Sequence, residues 1–299
     1  MLNNIEKYQR AFSSLINKLK NNESILAAMV FGSVLTGDLW EGSDIDLFVI
    51  CKNKINNKGR IYTEEEGIKV HIKLISKEKF LTLYDEELAG GFIHRVFLSS
   101  RLVFSKDDEV TSKYDIGRYY PDIDREKWNM VYFSDLLKSI EVCKKYLANN
   151  GTYMAYSSAI KAMEDFSKLY VNSSGYMISK DVMTMATNLN DKLRELTDEL
   201  FFVTKEDMYE IINEVINFLE EDININIKKY TALLLEFMKE QEVPLSSEDI
   251  LVNELFNNLN IRFERLLNRM LENGIIKRKN RNYKDEENNV LISENVYFI

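Results

Sequence analysis

The spacing of apolar residues along this chain changes twice, and each change marks a different kind of structure. From Ile5 to Leu19 the apolar positions (Ile5, Tyr8, Phe12, Leu15, Ile16, Leu19) recur at helical spacing and predict an opening amphipathic helix. Ile25 to Phe31 is an uninterrupted apolar run that stops at Gly32, as a strand buried on both faces does. Residues 33 to 39 read as a turn with a short helix, and Trp40 to Ser43 lead into a second strand, Ile45-Asp46-Leu47-Phe48-Val49-Ile50. Beyond Lys52–Lys58 a hairpin follows: a short strand over Arg60–Thr63, a turn at Glu64-Glu65-Glu66-Gly67, and a return over Ile68–Ile75. The return alternates strictly, with Ile68, Val70, Ile72 and Leu74 on one face and Lys69, His71 and Lys73 on the other. Lys77–Leu88 and Gly91–Ser99 read as helices, and Leu102-Val103-Phe104 as one more short strand. Residues 1–120 therefore read as a small α/β domain around a mixed sheet.

From Asp124 the period becomes helical and remains so. Trp128, Val131, Leu136, Leu137, Ile140 and Tyr146 predict one long helix that stops near Asn149-Asn150-Gly151. Tyr153–Tyr170, about 187–201 and about 205–242 predict further helices, and Pro244 closes the stretch, so residues 121–244 read as a helical bundle. Residues 245–299 differ again: helices over Glu248–Phe256 and Ile261–Leu271, then Asn273-Gly274, then strands near Ile275-Ile276 and Val290-Leu291-Ile292. Helix, helix, hairpin is the order of a winged-helix-like domain. The expected fold class is α+β: a mixed sheet with helices, an all-α bundle and a small winged-helix-like end.

Composition narrows the chemistry. With 45% hydrophobic and 29% charged residues the chain has the balance of a soluble globular protein. No apolar run is long enough to cross a bilayer, and Met1-Leu2-Asn3-Asn4-Ile5-Glu6-Lys7 lacks the basic-then-apolar layout of a signal peptide, so a cytoplasmic protein without a membrane partner is expected. The two cysteines, Cys51 and Cys143, stand apart without a Cys-x-x-Cys pairing, which argues against a disulfide scaffold or a zinc site. A net charge of -9 argues against nucleic acid binding by the whole surface, though not by a local patch.

The candidate chemistry lies between Gly32 and Ile50. Gly32-Ser33 is followed by ten residues and then by Asp44-Ile45-Asp46 at the start of the second strand. Carboxylates at i and i+2 of a strand project from one face, where they can share a metal ion. A Gly-Ser turn beside them offers backbone amides and a hydroxyl to phosphate oxygens. Gly-Ser, about ten residues, then Asp-apolar-Asp between two apolar strands resembles the signature of the polymerase-beta-like nucleotidyltransferase superfamily; the likeness is close over Ala27–Ile50 and extends by element order to about Leu74. The resemblance implies that Gly32 and Ser33 hold the β and γ phosphates of a nucleoside triphosphate, and that Asp44 and Asp46 coordinate one or two Mg2+ ions. Transfer of a nucleoside monophosphate to a hydroxyl acceptor, with release of pyrophosphate, is the reaction it implies.

Active members of that superfamily usually carry a third carboxylate on the neighbouring strand. In Lys69-Val70-His71-Ile72-Lys73-Leu74 the matching position is His71. Three readings follow: His71 acts as the base, since an ordinary imidazole titrates near neutrality; one of Glu64, Glu65 or Glu66 reaches in; or transfer is lost and the domain only binds nucleotide. Lys73 reads either as an offset to phosphate charge or as a surface lysine.

By domain order the chain resembles bacterial nucleotidyltransferase-like proteins of similar length. Tyr153, Tyr156, Phe166, Tyr170 and Tyr176 could line an acceptor pocket, although aromatics at helical spacing more often form core. Arg262, Arg265 and Arg269 share one helix face, and Lys277, Arg278, Lys279, Arg281 and Lys284 follow, so residues 258–284 are a possible nucleic acid contact. The alternative to an enzyme is a catalytically degenerate nucleotide-binding regulator that acts through this winged-helix-like end on DNA or protein.

Overall fold

A computed structural model of the chain describes residues 2–36, 39–40, 42–55, 59–86, 94, 97–204 and 206–299. The fold is α+β, and it divides into two compact units, Met1–Pro121 and Asp122–Ile299.

In the first unit, helix α1 (Leu2–Asn21) precedes β1 (Ile25–Phe31), a short α2 (Ser33–Thr36), β2 (Ile45–Cys51), β3 (Arg60–Glu65) and β4 (Ile68–Ser76). Helix α3 (Lys77–Glu86), β5 (Arg101–Ser105) and α4 (Asp108–Ile116) complete it. The five strands form one mixed sheet in the order β3-β4-β2-β1-β5, in which β2 and β4 run parallel and the other pairs antiparallel. The expected helix over Gly91–Ser99 falls largely on residues outside those described.

The two faces of this sheet are covered unequally. Helix α1 lays Tyr8, Ala11, Leu15 and Ile16 on Ala28, Val30, Leu47, Val49, Val70 and Ile72, burying the central strands of one face. Each fully buried aliphatic side chain in such a layer contributes about 1.5–3 kcal/mol. On the opposite face Phe80 of α3, Phe97, and Val110 and Tyr114 of α4 pack on Met29, Phe48, Ile50 and Ile75. That cover begins at Phe48 and does not include residue 46, two positions earlier on the same face of β2. A polar strip of the sheet is thus left open within a well-packed unit.

The second unit is mostly helical: α5 (Asp122–Ala148), α6 (Thr152–Ser173), α7 (Val182–Leu189), α8 (Asp191–Phe202), α9 (Met208–Tyr230) and α10 (Ala232–Lys239), then α11 (Ser247–Leu251), α12 (Phe263–Glu272) and the hairpin β6 (Lys277–Lys284) and β7 (Val290–Phe298). One continuous core joins Phe133 and Phe166 of the first two helices to Phe263, Leu266 and Leu267 of α12 and Tyr297 of β7. Where sequence periodicity suggested a single helix over about 187–201, the backbone breaks at Asn190, whose side chain accepts from the Leu193 amide at 2.9 Å and starts α8 anew. A second break, at Thr231, divides the expected helix over about 205–242; its hydroxyl donates back to the Ile227 carbonyl at 2.8 Å.

Candidate active site

Strand β1 ends at Gly32, whose φ of 78° lies in the left-handed region that side-chain-bearing residues avoid. A Cβ at this position would stand 2.9 Å from Asp46 Oδ2, so the turn must be glycine both for its backbone and for its neighbour. Ser33 then opens α2, whose first turn is closed by the Leu35 amide donating to the Gly32 carbonyl at 3.0 Å.

The approach to β2 is fastened from α1. The Tyr8 hydroxyl donates to the Ser43 carbonyl at 2.7 Å, and the Ser43 hydroxyl accepts from the Trp40 amide at 3.0 Å. These bonds fix the chain immediately before Asp44. Sequence reasoning placed Tyr8 only on an apolar stripe; the missed signal is that a buried tyrosine needs a partner for its hydroxyl.

Strand register does the rest. Asp46 on β2 lies opposite Phe31 on β1 and opposite His71 on β4, and His71 lies opposite Tyr62 on β3. Phe31, Asp46, His71 and Tyr62 therefore form one row across four strands, on the face that α1 does not cover. His71 sits between the two carboxylates, with Nε2 3.5 Å from Asp44 Oδ2 and Nδ1 3.5 Å from Asp46 Oδ1. Its other side meets the Tyr62 ring edge-on, with centroids 4.7 Å apart. Exposure rises along the row, from 30% for the Asp46 side chain and 40% for His71 to 69% for Tyr62, so the row opens to solvent at the sheet edge.

Of the residues named from sequence, Asp44, Asp46, His71 and Gly32 converge, and Ser33 directly follows Gly32. The glutamates of the hairpin do not join them. Glu65 points to the α1 side, where it accepts from Ser14 at 2.6 Å and pairs with Lys18 at 2.7 Å, which holds its carboxyl below the usual range. Glu64 lies opposite Lys69, and Glu66 stands in the turn with φ of 51°. His71 is left in the third position. Lys73 lies on the same strand face, with Nζ 5.7 Å from the centre of the Phe48 ring.

The arrangement can be tested against the cation such a pair would hold. Asp44 Oδ1 is buried and has no hydrogen-bond partner, a state that is costly for a carboxylate oxygen unless a cation or donor meets it. Among the described residues no three acidic, histidine or cysteine side chains form a closed cage. Two carboxylates with an open remainder nevertheless suit Mg2+, which takes few protein ligands and completes its shell with phosphate oxygens and water. The donor set fits.

The second unit disposes of its basic residues differently from the expectation. Arg262 pairs with Asp135 and Arg265 with Glu141, both on α5, and Arg269 lies 3.7 Å from Glu220 and 3.5 Å from Glu272. These three arginines clasp α12 within its own unit and are not free for phosphates. Arg281 is likewise held, by Asp249 at 2.7 Å and Glu294 at 2.8 Å, whereas Lys277, Arg278, Lys279 and Lys284 are exposed. Of the aromatics considered for a pocket, Phe166 is fully buried, Tyr156 and Tyr170 pack against the same core, and Tyr153 is exposed.

Comparison with known proteins bears on the first unit most directly. Residues 13–109 match the family described as Polymerase beta, Nucleotidyltransferase. A solved structure of a nucleotidyltransferase-like protein from Exiguobacterium sibiricum 255-15 superposes with a TM-score of 0.66 at 15% identity, covering 97% of this chain and 99% of that one. No protein of curated function matches the chain by sequence.

Proposed function

Because residues 13–109 are a nucleotidyltransferase domain of the polymerase beta type, we propose that the chain transfers a nucleoside monophosphate from a nucleoside triphosphate to a hydroxyl acceptor and releases pyrophosphate. The observation that carries this reading is the convergence of Asp44 and Asp46 on His71, with a buried, unpartnered oxygen on Asp44, beside a turn that only glycine can make. Asp44 and Asp46 hold the divalent cation. Bound there, Mg2+ would neutralise charge on the transferring phosphate and on the departing pyrophosphate. The backbone amides that follow Gly32, with the Ser33 hydroxyl, donate to the β and γ phosphates.

His71 performs the proton step. Its imidazole takes the proton of the acceptor hydroxyl as the new oxygen–phosphorus bond forms and the bond to pyrophosphate breaks. Tyr62 packs against the ring of His71, and Asp46 lies opposite it in register, so the imidazole is held in place before substrate arrives. The alternative, a regulator without activity, loses Arg262, Arg265 and Arg269 to ion pairs but keeps the exposed Lys277, Arg278, Lys279 and Lys284 of the hairpin.

The test uses the purified chain with Mn2+, whose binding can be followed by electron paramagnetic resonance, and a fluorescent ATP analogue. Asp44→Asn/Asp46→Asn should abolish cation-dependent nucleotide binding. His71→Ala should leave that binding intact and lower pyrophosphate release by about a hundredfold or more. A double variant that binds Mn2+ and nucleotide as the parent does would refute the assignment.

A further inference from the structure

The strands that carry the proposed site also carry a pair of cations that the reaction described so far does not use. Arg60 on β3 and Lys73 on β4 stand directly opposite each other in register, two residues along from the Tyr62–His71 pair and on the same face. Both are exposed, and among the described residues neither enters an ion pair. Like charges directly opposite on neighbouring strands destabilise a sheet. The next pair on that face in the other direction, Glu64 with Lys69, is complementary. The like-charged pair is therefore a local cost, placed about 7 Å along the strands from the proposed base.

Sheet order decides what such a pair faces. Strand β1, which delivers Gly32 and Ser33, lies on one side of β2, and β4 and β3 lie on the other. With strands about 4.8 Å apart, Lys73 and Arg60 are two and three strands from the phosphate turn, beyond the carboxylates. In phosphoryl transfer the attacking and leaving oxygens lie on opposite sides of the phosphorus. If pyrophosphate departs toward Gly32 and Ser33, the acceptor arrives from the side of β4 and β3.

We infer that Arg60 and Lys73 bind a phosphate group of the acceptor, so that the hydroxyl delivered to His71 belongs to a phosphate-bearing molecule. This deepens the transfer reading and rests on it. Two sources share that chemistry: a small sugar phosphate, and the 3′ end of a nucleic acid strand, whose terminal hydroxyl lies one sugar away from a phosphate. Lys73 is partly preset for the task by its place over the Phe48 ring.

The test first saturates the triphosphate site of the full chain with α,β-methylene ATP and Mg2+, and then titrates two probes. One is ribose 5-phosphate, with ribose as its uncharged counterpart; the other is a fluorescent five-nucleotide RNA with a free 3′ hydroxyl. At least one phosphate-bearing probe should bind, and Arg60→Ala/Lys73→Ala should weaken it by about tenfold or more, as expected for the loss of two charge-assisted contacts. The charge-preserving exchange Arg60→Lys/Lys73→Arg should restore binding, which separates lost charge from lost folding. Affinity for α,β-methylene ATP should stay within about twofold of the parent throughout, since the two residues stand two and three strands from the phosphate turn. Preference for ribose 5-phosphate identifies a small acceptor; preference for RNA, with the slope of log affinity against log salt shallower by about 1.4 in the alanine variant, identifies a strand end. The inference is overturned if neither probe binds, if the alanine variant binds the probes as the parent does, or if its loss falls on the triphosphate instead. Failure of the transfer reading would appear elsewhere, as α,β-methylene ATP binding that ignores Asp44→Asn/Asp46→Asn.

Discussion

Replacing Gly32 by alanine tests the turn and the carboxylate together. At φ of 78° an alanine carries a left-handed backbone cost of about 1–2 kcal/mol. Stiffening of the unfolded chain by the methyl group offsets roughly 0.4–1 kcal/mol of that. The methyl would also stand 2.9 Å from Asp46 Oδ2, closer than van der Waals contact allows, so the carboxylate must move. The backbone terms leave a net loss of about 1 kcal/mol, to which the carboxylate's displacement adds, readable as a lower urea midpoint with an unchanged slope. Gly67→Ala is the matched control in the same unit: its φ of 74° is nearly the same, but a methyl there would meet only Lys7 Nζ, at 3.7 Å. Both variants should lose similar stability from the backbone. Only Gly32→Ala should weaken Mn2+-dependent nucleotide binding, because only there is an oxygen displaced that the proposed function assigns to the cation. If the two variants lose nucleotide binding equally, or neither does, the placement of Gly32 against Asp46 is not what shapes the site.

Two further predictions concern stability. Substituting Arg262, Arg265 and Arg269 together by alanine should destabilise the helical unit by about 1 kcal/mol in all, because Asp135 loses its partner while Glu141 is exposed and Glu220 keeps Lys144 at 2.6 Å; a variant with an unchanged urea midpoint would show the clasp to be idle. The Lys77 ammonium beside Asp107 holds that carboxyl below its usual range, and Asp107 in turn caps α4 through the Val110 amide at 3.1 Å. A depressed carboxyl contributes stability that is fully present above its unfolded value and is lost as pH falls through its folded value. The stability gap between the parent and Lys77→Met should therefore be constant from neutral pH down to about 4, the ordinary aspartate range, and close below it; a gap that persists unchanged well below that range would contradict the pairing.

Much of the candidate site is legible in the sequence because its parts are local along the chain. The strand ending at Gly32 and the alternation around Asp44 and Asp46 announce themselves within twenty residues, and the alternation of β4 put His71 on the polar face where it is found. What stayed hidden depended on partners distant along the chain. Nothing near Glu65 indicates that Ser14 and Lys18 will claim it, and nothing within α12 indicates that acids on α5 and α9 will neutralise its arginines. Helical periodicity likewise cannot separate one helix from two when the break keeps the apolar phase. The cap at Asn190 was the available sign, since asparagine readily starts a helix.

Position 71 has a wider consequence. Its backbone is fixed by the parallel pairing of β2 and β4, while its side chain stands half in solvent and contributes little to the sheet's interior. Chemistry and architecture are thus uncoupled at this one spot. On the role proposed for His71, a single codon change there can exchange one proton acceptor for another, or remove it, while the scaffold folds as before. Lineages built on this frame could drift between turnover and silent ligand sensing without passing through an unstable ancestor.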